Sequence, residues 1–230
     1  MPVADYLLAA GVAVGCGLDR TAALQMMISR PLVAGPLTGW VLGNAVAGLE
    51  VGSLIELLWL GRLPIGAAVP PDDTQVAVGG TALAVLAGPT FGMIGFPSVL
   101  LCTLLALPLG KVGELFDRLA RYWNDRLALQ AQKGVAENRF ASVERCHLLG
   151  LVHFGLSSLA TYAVIVIFGS VALHWLVPVL YAPVVRSAAW LRLGLPLVGA
   201  AVLLGTINVN RSLLLFGVSF AAVLLTLAVL

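Results

Sequence analysis

Glu56 stands in an otherwise apolar run, flanked by Leu54, Ile55, Leu57, Leu58 and Trp59, with Glu50 six residues before it and Asn44 upstream. A carboxylate near the centre of a bilayer costs about 2.5–3.5 kcal/mol or more, so it persists where it faces a protein interior or a wet cavity. Two roles suit such a group: contact with a substrate or ion, or a structural salt bridge to a cation such as Arg30 or Arg62. Glu56, deep in the run, is read first as a contact residue. Glu50, nearer a helix end, is read first as structural.

A second cluster follows at Gly66-Ala67-Ala68-Val69-Pro70-Pro71-Asp72-Asp73. Two consecutive prolines remove two amide donors and stop a helix, and small residues before them let another group approach the backbone. Non-helical backbone at membrane depth is tolerated only where it is buried in protein or lines a water-filled cavity, the setting in which transporters hold polar solutes. Asp oxygens accept hydrogen bonds from vicinal hydroxyls, and freed carbonyls and amides add more. The plainer alternative is an ordinary turn outside the membrane.

The elements that must position these groups follow from composition. Hydrophobic residues make up 60% of the 230, charged residues 10%, and mean hydropathy is +1.01, against about 45–50% and about 25% in a soluble domain. That much apolar surface has no aqueous exterior to hide behind, so the bilayer is the solvent for most of it. A spanning helix needs about 20 mostly apolar residues. Residues 1–61 offer one short span and one or two longer ones, broken at Asp19-Arg20 and Arg30-Pro31. Residues 74–110 carry no Asp, Glu, Lys or Arg and read as two helices or as a helix and a re-entrant hairpin, with Gly88-Pro89 or Gly95-Phe96-Pro97 as breaks. Residues 146–185, also free of those four types, read as two crossings split near Phe168-Gly169 or His174-Trp175. Residues 193–210 and 212–230 form a final pair around Arg211. The expected fold is an all-α polytopic integral membrane protein with several transmembrane helices and re-entrant hairpins.

Between the apolar regions, residues 111–145 hold seven of the 13 Lys and Arg. Val112, Leu115, Phe116, Leu119, Tyr122 and Trp123 recur there at helical spacing while Arg118, Arg121 and Arg126 fall elsewhere, which predicts an amphipathic helix at the membrane surface. The positive-inside rule places it in the cytoplasm. It serves either as a solvated connector or as a docking surface. The organisation is thus one membrane domain, 1–230, with N-terminal helices over 1–110, the polar segment over 111–145 and C-terminal helices over 146–230. Gly35, Gly39 and Gly43, and Gly48 and Gly52, recur every four residues, the spacing that lets membrane helices pack backbone to backbone.

Other classes are excluded. A net charge of +2 without a basic run gives no nucleic-acid footprint. Cys16, Cys102 and Cys146 have neither disulfide nor zinc spacing and read as apolar fillers. No nucleophile, metal cluster or phosphate loop is legible, so no catalytic residue, metal or cofactor is expected and the chain is not an enzyme by itself. Met1-Pro2-Val3-Ala4-Asp5 lacks a basic n-region, so residues 6–18 are expected to stay in the mature protein.

Residues 17–75 resemble the IIC membrane subunit of the mannose/fructose/sorbose class of the bacterial phosphoenolpyruvate-dependent sugar phosphotransferase system. The matching text is Gly17-Leu18-Asp19-Arg20, Ser29-Arg30-Pro31, Gly39-x-Val41-Leu42-Gly43, Gly48-Leu49-x-x-Gly52, Ile55-Glu56-Leu57, Leu60-Gly61 and Ile65-Gly66-Ala67-Ala68-Val69-Pro70-Pro71-Asp72. Beyond Gly110 the likeness rests on length, the polar segment and hydropathy. The resemblance implies a permease subunit in the bacterial inner membrane that carries a hexose-class sugar and pairs with a IID membrane subunit. It further implies trimers of IIC–IID pairs, an elevator-like movement of a substrate-holding core, and cytoplasmic IIA and IIB components that relay phosphoryl groups. No phosphorylated residue is implied on this chain, which suits His147, His153 and His174 as interfacial or packing residues. Carried over by position, the sugar-contacting candidates are Gly66, Ala67, Ala68 and Asp72, with Glu56 as a direct or supporting partner. Asp73, Asn44 and Arg30 are candidates for the surrounding support. Where the family usually has an acidic residue after Leu-Gly, this chain has Asn44.

Two other readings stay open from the residues alone: a proton- or sodium-driven secondary transporter with Glu56 and Asp72 as coupling carboxylates, and a non-transporting membrane scaffold or sensor that recruits a cytoplasmic protein through the polar segment.

Overall fold

A computed structural model describes residues 3–61, 69–206 and 211–229, and among them all regular structure is helical. Helix α1 spans Val3–Thr21, α2 Pro31–Val41, α3 Ala45–Trp59, α4 Asp73–Ala82, α5 Gly95–Ala136, α6 Phe140–Thr206 and α7 Ser212–Val229. α4 is extended by a π-helical turn, Leu83–Ala87, and a 3-10 turn, Gly88–Phe91. Among the described residues, three stretches are long and apolar enough to cross a membrane: Asp73–Phe91, Gly95–Ala136 and Phe140–Leu204. The first of these is the most enclosed, and α4 is buried at every residue from Thr74 to Ala82. A helix apolar on every face belongs at the centre of a bundle.

α2 and α3 form a hairpin through residues 42–44, where Gly43 takes φ +81°, a left-handed value that costs other residues roughly 1–2 kcal/mol. The glycine spacing does what it predicts. A methyl group at Gly35 would overlap the carbonyl oxygen of Gly48, one at Gly48 that of Gly35, and one at Gly52 that of Pro31. The two backbones touch, and no side chain larger than hydrogen fits between them.

Both expected breaks in residues 74–110 contribute to the observed one. Gly88-Pro89 opens the 3-10 turn that ends α4, and Gly95, at φ +67°, starts α5. The polar segment differs from expectation. It is not an element of its own: α5 runs through it unbroken to Ala136 and returns as α6 after residues 137–139. Gly113, Ala120 and Gly134 are buried, while Leu115, Leu119, Tyr122 and Trp123 point outward. The small residues, not the apolar stripe, face the chain, because two long helices pack most closely where side chains are small.

No break occurs at Phe168-Gly169 or His174-Trp175. Gly169 is a packing glycine whose missing side chain is replaced by Leu83, and His174 lies edge-on to Phe91, with ring centroids 6.4 Å apart. The reversal comes later. Thr161 stands beside Asp72 and Gly113, yet Gly199 packs on Leu57, near the same end of the bundle. A straight helix would put residues 161 and 199 roughly 55 Å apart at 1.5 Å per residue, so α6 doubles back between them. Pro178 and Pro183 lie in that interval, where each removes a backbone hydrogen bond and bends the helix. Tyr181 Oη accepts from the Ile94 amide at 3.2 Å, which fastens the bend to the turn between α4 and α5.

Candidate functional site

Asp72 is the residue from which α4 starts. Its carboxylate accepts the Gln75 amide at 3.0 Å, satisfying one of the orphan donors of the first turn, and its own amide donates to Gly110 O at 3.0 Å. Gly110 and Gly113 let α5 come this close: a side chain on Gly113 would meet the Asp72 Cβ. The preceding residues, 69–72, carry no regular structure. Pro70 and Pro71 account for that, since neither can donate to a helix.

Arg20, from the last turn of α1, reaches this break. Its guanidinium lies 2.7 Å from Asp72 Oδ1 and 3.4 Å from Asp73 Oδ1, and it donates to Pro71 O at 3.1 Å. Asp72 is only 7% exposed. A buried carboxylate needs such compensation, because desolvation is repaid only when charge and hydrogen bonds are both matched. Next to Arg20, Asp19 points the other way. Its oxygens accept the amides of Met26 at 2.7 Å and Ser29 at 3.0 Å, holding a connection that passes through positive φ at Leu24, Gln25 and Met27. Thr74 Oγ1 then donates to Ser29 O at 2.8 Å. Three separate chain segments are thereby tied at one end of the bundle.

Two cavities flank the break. One, of about 150 Å³, is lined by Arg20, Ser29, Arg30, Trp59, Pro71 and Asp73, among others; the second, of about 220 Å³, has Arg20, Gln25, Val69, Pro70, Asp117 and Arg121. Arg20 and Pro70 line both, so the wall between the cavities is a guanidinium and a proline. The groups facing them are carboxylates, guanidinium donors, hydroxyls and backbone carbonyls, a set able to hydrogen-bond hydroxyl-bearing solutes.

The expected residues fall into four groups. Asp72 and Asp73 are at this break, with Arg30 on the rim. Glu56 lies close by but is engaged: Arg30 makes an ion pair with it and the Leu32 amide donates to it at 3.3 Å. Of the two cations read as its salt-bridge partner, Arg30 is in contact with it. Asn44 is elsewhere, capping the start of α3 by accepting the Ala47 amide at 3.1 Å, at the opposite end of that helix. Gly66, Ala67 and Ala68, and Arg62 with them, lie outside the described residues. Arg20, Asp19, Ser29 and Gly113 were not singled out as site residues. A basic residue beside an acidic one between two apolar spans was the available signal for Arg20 and Asp19. Glu50 pairs with Arg192 at 3.0 Å, across the far end of the molecule. Among the described residues no group of three His, Cys, Asp or Glu is placed to hold a metal.

Comparison with known proteins places this geometry. The family model for the PTS system sorbose-specific IIC component matches residues 3–230. The PTS system sorbose-specific EIIC component of Klebsiella pneumoniae is 27% identical over 154 residues, covering 67% of this chain and 53% of that protein. The chain spans about half the length of the curated relatives it matches first. A solved structure described as a membrane protein superposes with a TM-score of 0.70 at 21% identity, covering 100% of this chain and 92% of the other. The cryo-EM structure of the mannose transporter ManYZ with microcin E492 superposes at 0.63 and 20% identity, covering 97% and 87%.

Proposed function

We propose, from the premise that the chain belongs to the family of PTS system sorbose-specific IIC components, that it is the sugar-translocating membrane subunit of a mannose-class phosphotransferase system. The observation that supports this most directly is the Asp72 break: a buried carboxylate and the Pro71 carbonyl, held by Arg20, between two cavities in a multi-pass membrane protein. Such interruptions at membrane depth are where transporters bind polar solutes.

In this reading Asp72, with the backbone of Gly66, Ala67 and Ala68, accepts and donates to the hydroxyls of a hexose-class sugar, and Arg20 sets the position of the carboxylate. Asp73, Arg30 and Glu56 support the site. The α2–α3 hairpin is a re-entrant element, since its helices of 11 and 15 residues are shorter than the about 20 needed to cross. The site-bearing core moves against the rest in elevator fashion, residues 111–145 lie in the cytoplasm, and the chain is a single unit over its length in a bacterial inner membrane. A IID subunit pairs with it, such pairs form trimers, and IIA and IIB components supply the phosphoryl group, so this chain itself transfers none.

Vesicles containing the chain and its membrane partner, loaded with the cytoplasmic components, test the reading. Uptake that requires phosphoenolpyruvate and delivers phosphorylated sugar is the expected result. Uptake that persists without phosphoenolpyruvate and collapses with the ion gradient contradicts it.

A further inference from the structure

The end of the bundle opposite Asp72 carries a larger, open cavity, of about 430 Å³, bordered by the start of α3, the α4–α5 turn and the returning part of α6. Much of its wall is apolar, yet four polar side chains from three elements line it. Glu50 of α3 and Arg192 of α6 meet at 3.0 Å. The Arg192 guanidinium also lies 5.1 Å over the centroid of Phe96. Asn44 stands at the cap of α3. Ser98 is 3% exposed, and its hydroxyl has no hydrogen-bond partner among the described residues.

One of these facts costs free energy that folding alone does not recover. A buried hydroxyl left unmatched costs about 1–3 kcal/mol, and a charged pair on a membrane protein persists where it faces a wet or ligand-filled space. The set also has a chemical sense. A carboxylate accepts from vicinal hydroxyls, a guanidinium and an amide donate to hydroxyl and ring oxygens, a serine does either, and the face of Phe96 takes the apolar side of a pyranose ring. The cavity's volume is within the usual ligand-site range of about 300–1,000 Å³.

We propose that this cavity is a second monosaccharide site, with Glu50, Arg192, Asn44 and Ser98 as its polar contacts. It is separate from the first: α4 and its extension, Asp73–Phe91, run from one to the other, about 28 Å at helical rise. A sugar occupying it stands on the far side of α4 from Asp72, at the face away from the long α5–α6 hairpin. The inference rests on the reading of the chain as a sugar permease subunit and adds a site to it.

Equilibrium dialysis tests it on the full chain purified with its membrane partner into nanodiscs, with radiolabelled D-mannose, L-sorbose, D-fructose and N-acetyl-D-galactosamine. The expected result is two bound molecules per chain for at least one of these sugars, with Asp72→Asn and Arg192→Gln each removing one and the double variant both. Arg192→Lys, which keeps the pair with Glu50, guards against loss through misfolding and retains the second molecule with weaker affinity. Ile94→Cys gives an independent readout, since Ile94 lines the cavity and is exposed while the native cysteines are buried. Sugar slows its reaction with a maleimide, and does so in the Asp72→Asn background too. A single bound molecule, unaffected by Arg192→Gln, together with unprotected Ile94→Cys, overturns the second site and leaves the permease reading standing. Failure of the wild type to bind any of the four sugars overturns both.

Discussion

The guanidinium of Arg20 meets the carboxylate of Asp72 at 2.7 Å, while the same carboxylate caps the first turn of α4. One side chain thus has two employments, and they can be separated by experiment. Arg20→Met leaves Asp72 buried without its cation, and breaking a mostly buried pair in this way costs roughly 3–5 kcal/mol. The double variant Arg20→Met/Asp72→Asn, which removes the buried charge of Asp72 and keeps an oxygen for the Gln75 amide, regains most of that loss but binds no sugar. Thermal unfolding in detergent measures the first effect, and labelled-sugar binding the second. A double variant as unstable as the single one contradicts the pairing.

Glu56 is engaged by Arg30 and by the Leu32 amide, and in the proposed site it supports sugar binding indirectly. Glu56→Gln keeps an oxygen for the amide and lowers sugar affinity by less than about tenfold, or 1.4 kcal/mol. Competition binding against the wild type reads this. A loss as large as that of Asp72→Asn would move Glu56 into direct contact.

Asp19 organises the α1–α2 connection through the amides of Met26 and Ser29. Asp19→Ala leaves those donors unmatched, at about 1–3 kcal/mol, and frees a segment whose positive-φ residues are held in place by these bonds. Limited proteolysis between residues 22 and 29 is expected to accelerate most in Asp19→Ala and less in Asp19→Asn, which keeps one acceptor oxygen for one of the two amides. Equal protection of both variants contradicts the role.

The glycine hairpin gives a sharp contrast. Gly48→Ala puts a methyl on the Gly35 carbonyl and is expected to destabilise by at least the roughly 1–3 kcal/mol of an overpacked core. Gly15→Ala, on α1 with open space around it, is expected to be neutral or slightly stabilising, since Ala is favoured over Gly in helices by about 1 kcal/mol. Melting temperatures of the two variants decide it. Equal shifts would mean that α2 and α3 do not touch at their backbones.

The doubled-back path of α6 has its own measurement. Spin labels at Phe168 and Val198, both exposed, are expected about 30 Å apart or less, against roughly 45 Å along a straight helix. A distance near the longer value contradicts the reversal.

How much of this was legible beforehand follows from what each feature depends on. Helices, the Gly88 and Gly95 breaks and the α2–α3 contact were readable, because hydropathy, proline and small-residue spacing act within a few residues of themselves. The Pro70-Pro71-Asp72 break was readable for the same reason. The partner of Asp72 was not: Arg20 belongs to another helix, and only the tertiary arrangement brings them together. Gly110 and Gly113 looked like ordinary glycines of an apolar span, yet they admit the Asp72 backbone to α5. The reversal of α6 was placed too early. Gly169 and His174 resembled break points, whereas Leu83 and Phe91 pack on them, and the turn falls in the interval that holds Pro178 and Pro183. In the polar segment the apolar stripe was legible from its spacing, and Leu115, Leu119, Tyr122 and Trp123 face outward; the buried Gly113, Ala120 and Gly134 that carry the packing behind it were not.

The central claim is that a sugar is held at Asp72, and the most direct test is equilibrium binding of labelled sugar to membranes containing the chain and its partner, wild type against Asp72→Asn. The mutant is expected to assemble normally while losing at least about a hundredfold in affinity at this site, or 2.7 kcal/mol. Wild-type affinity in an assembled Asp72→Asn protein would contradict the account.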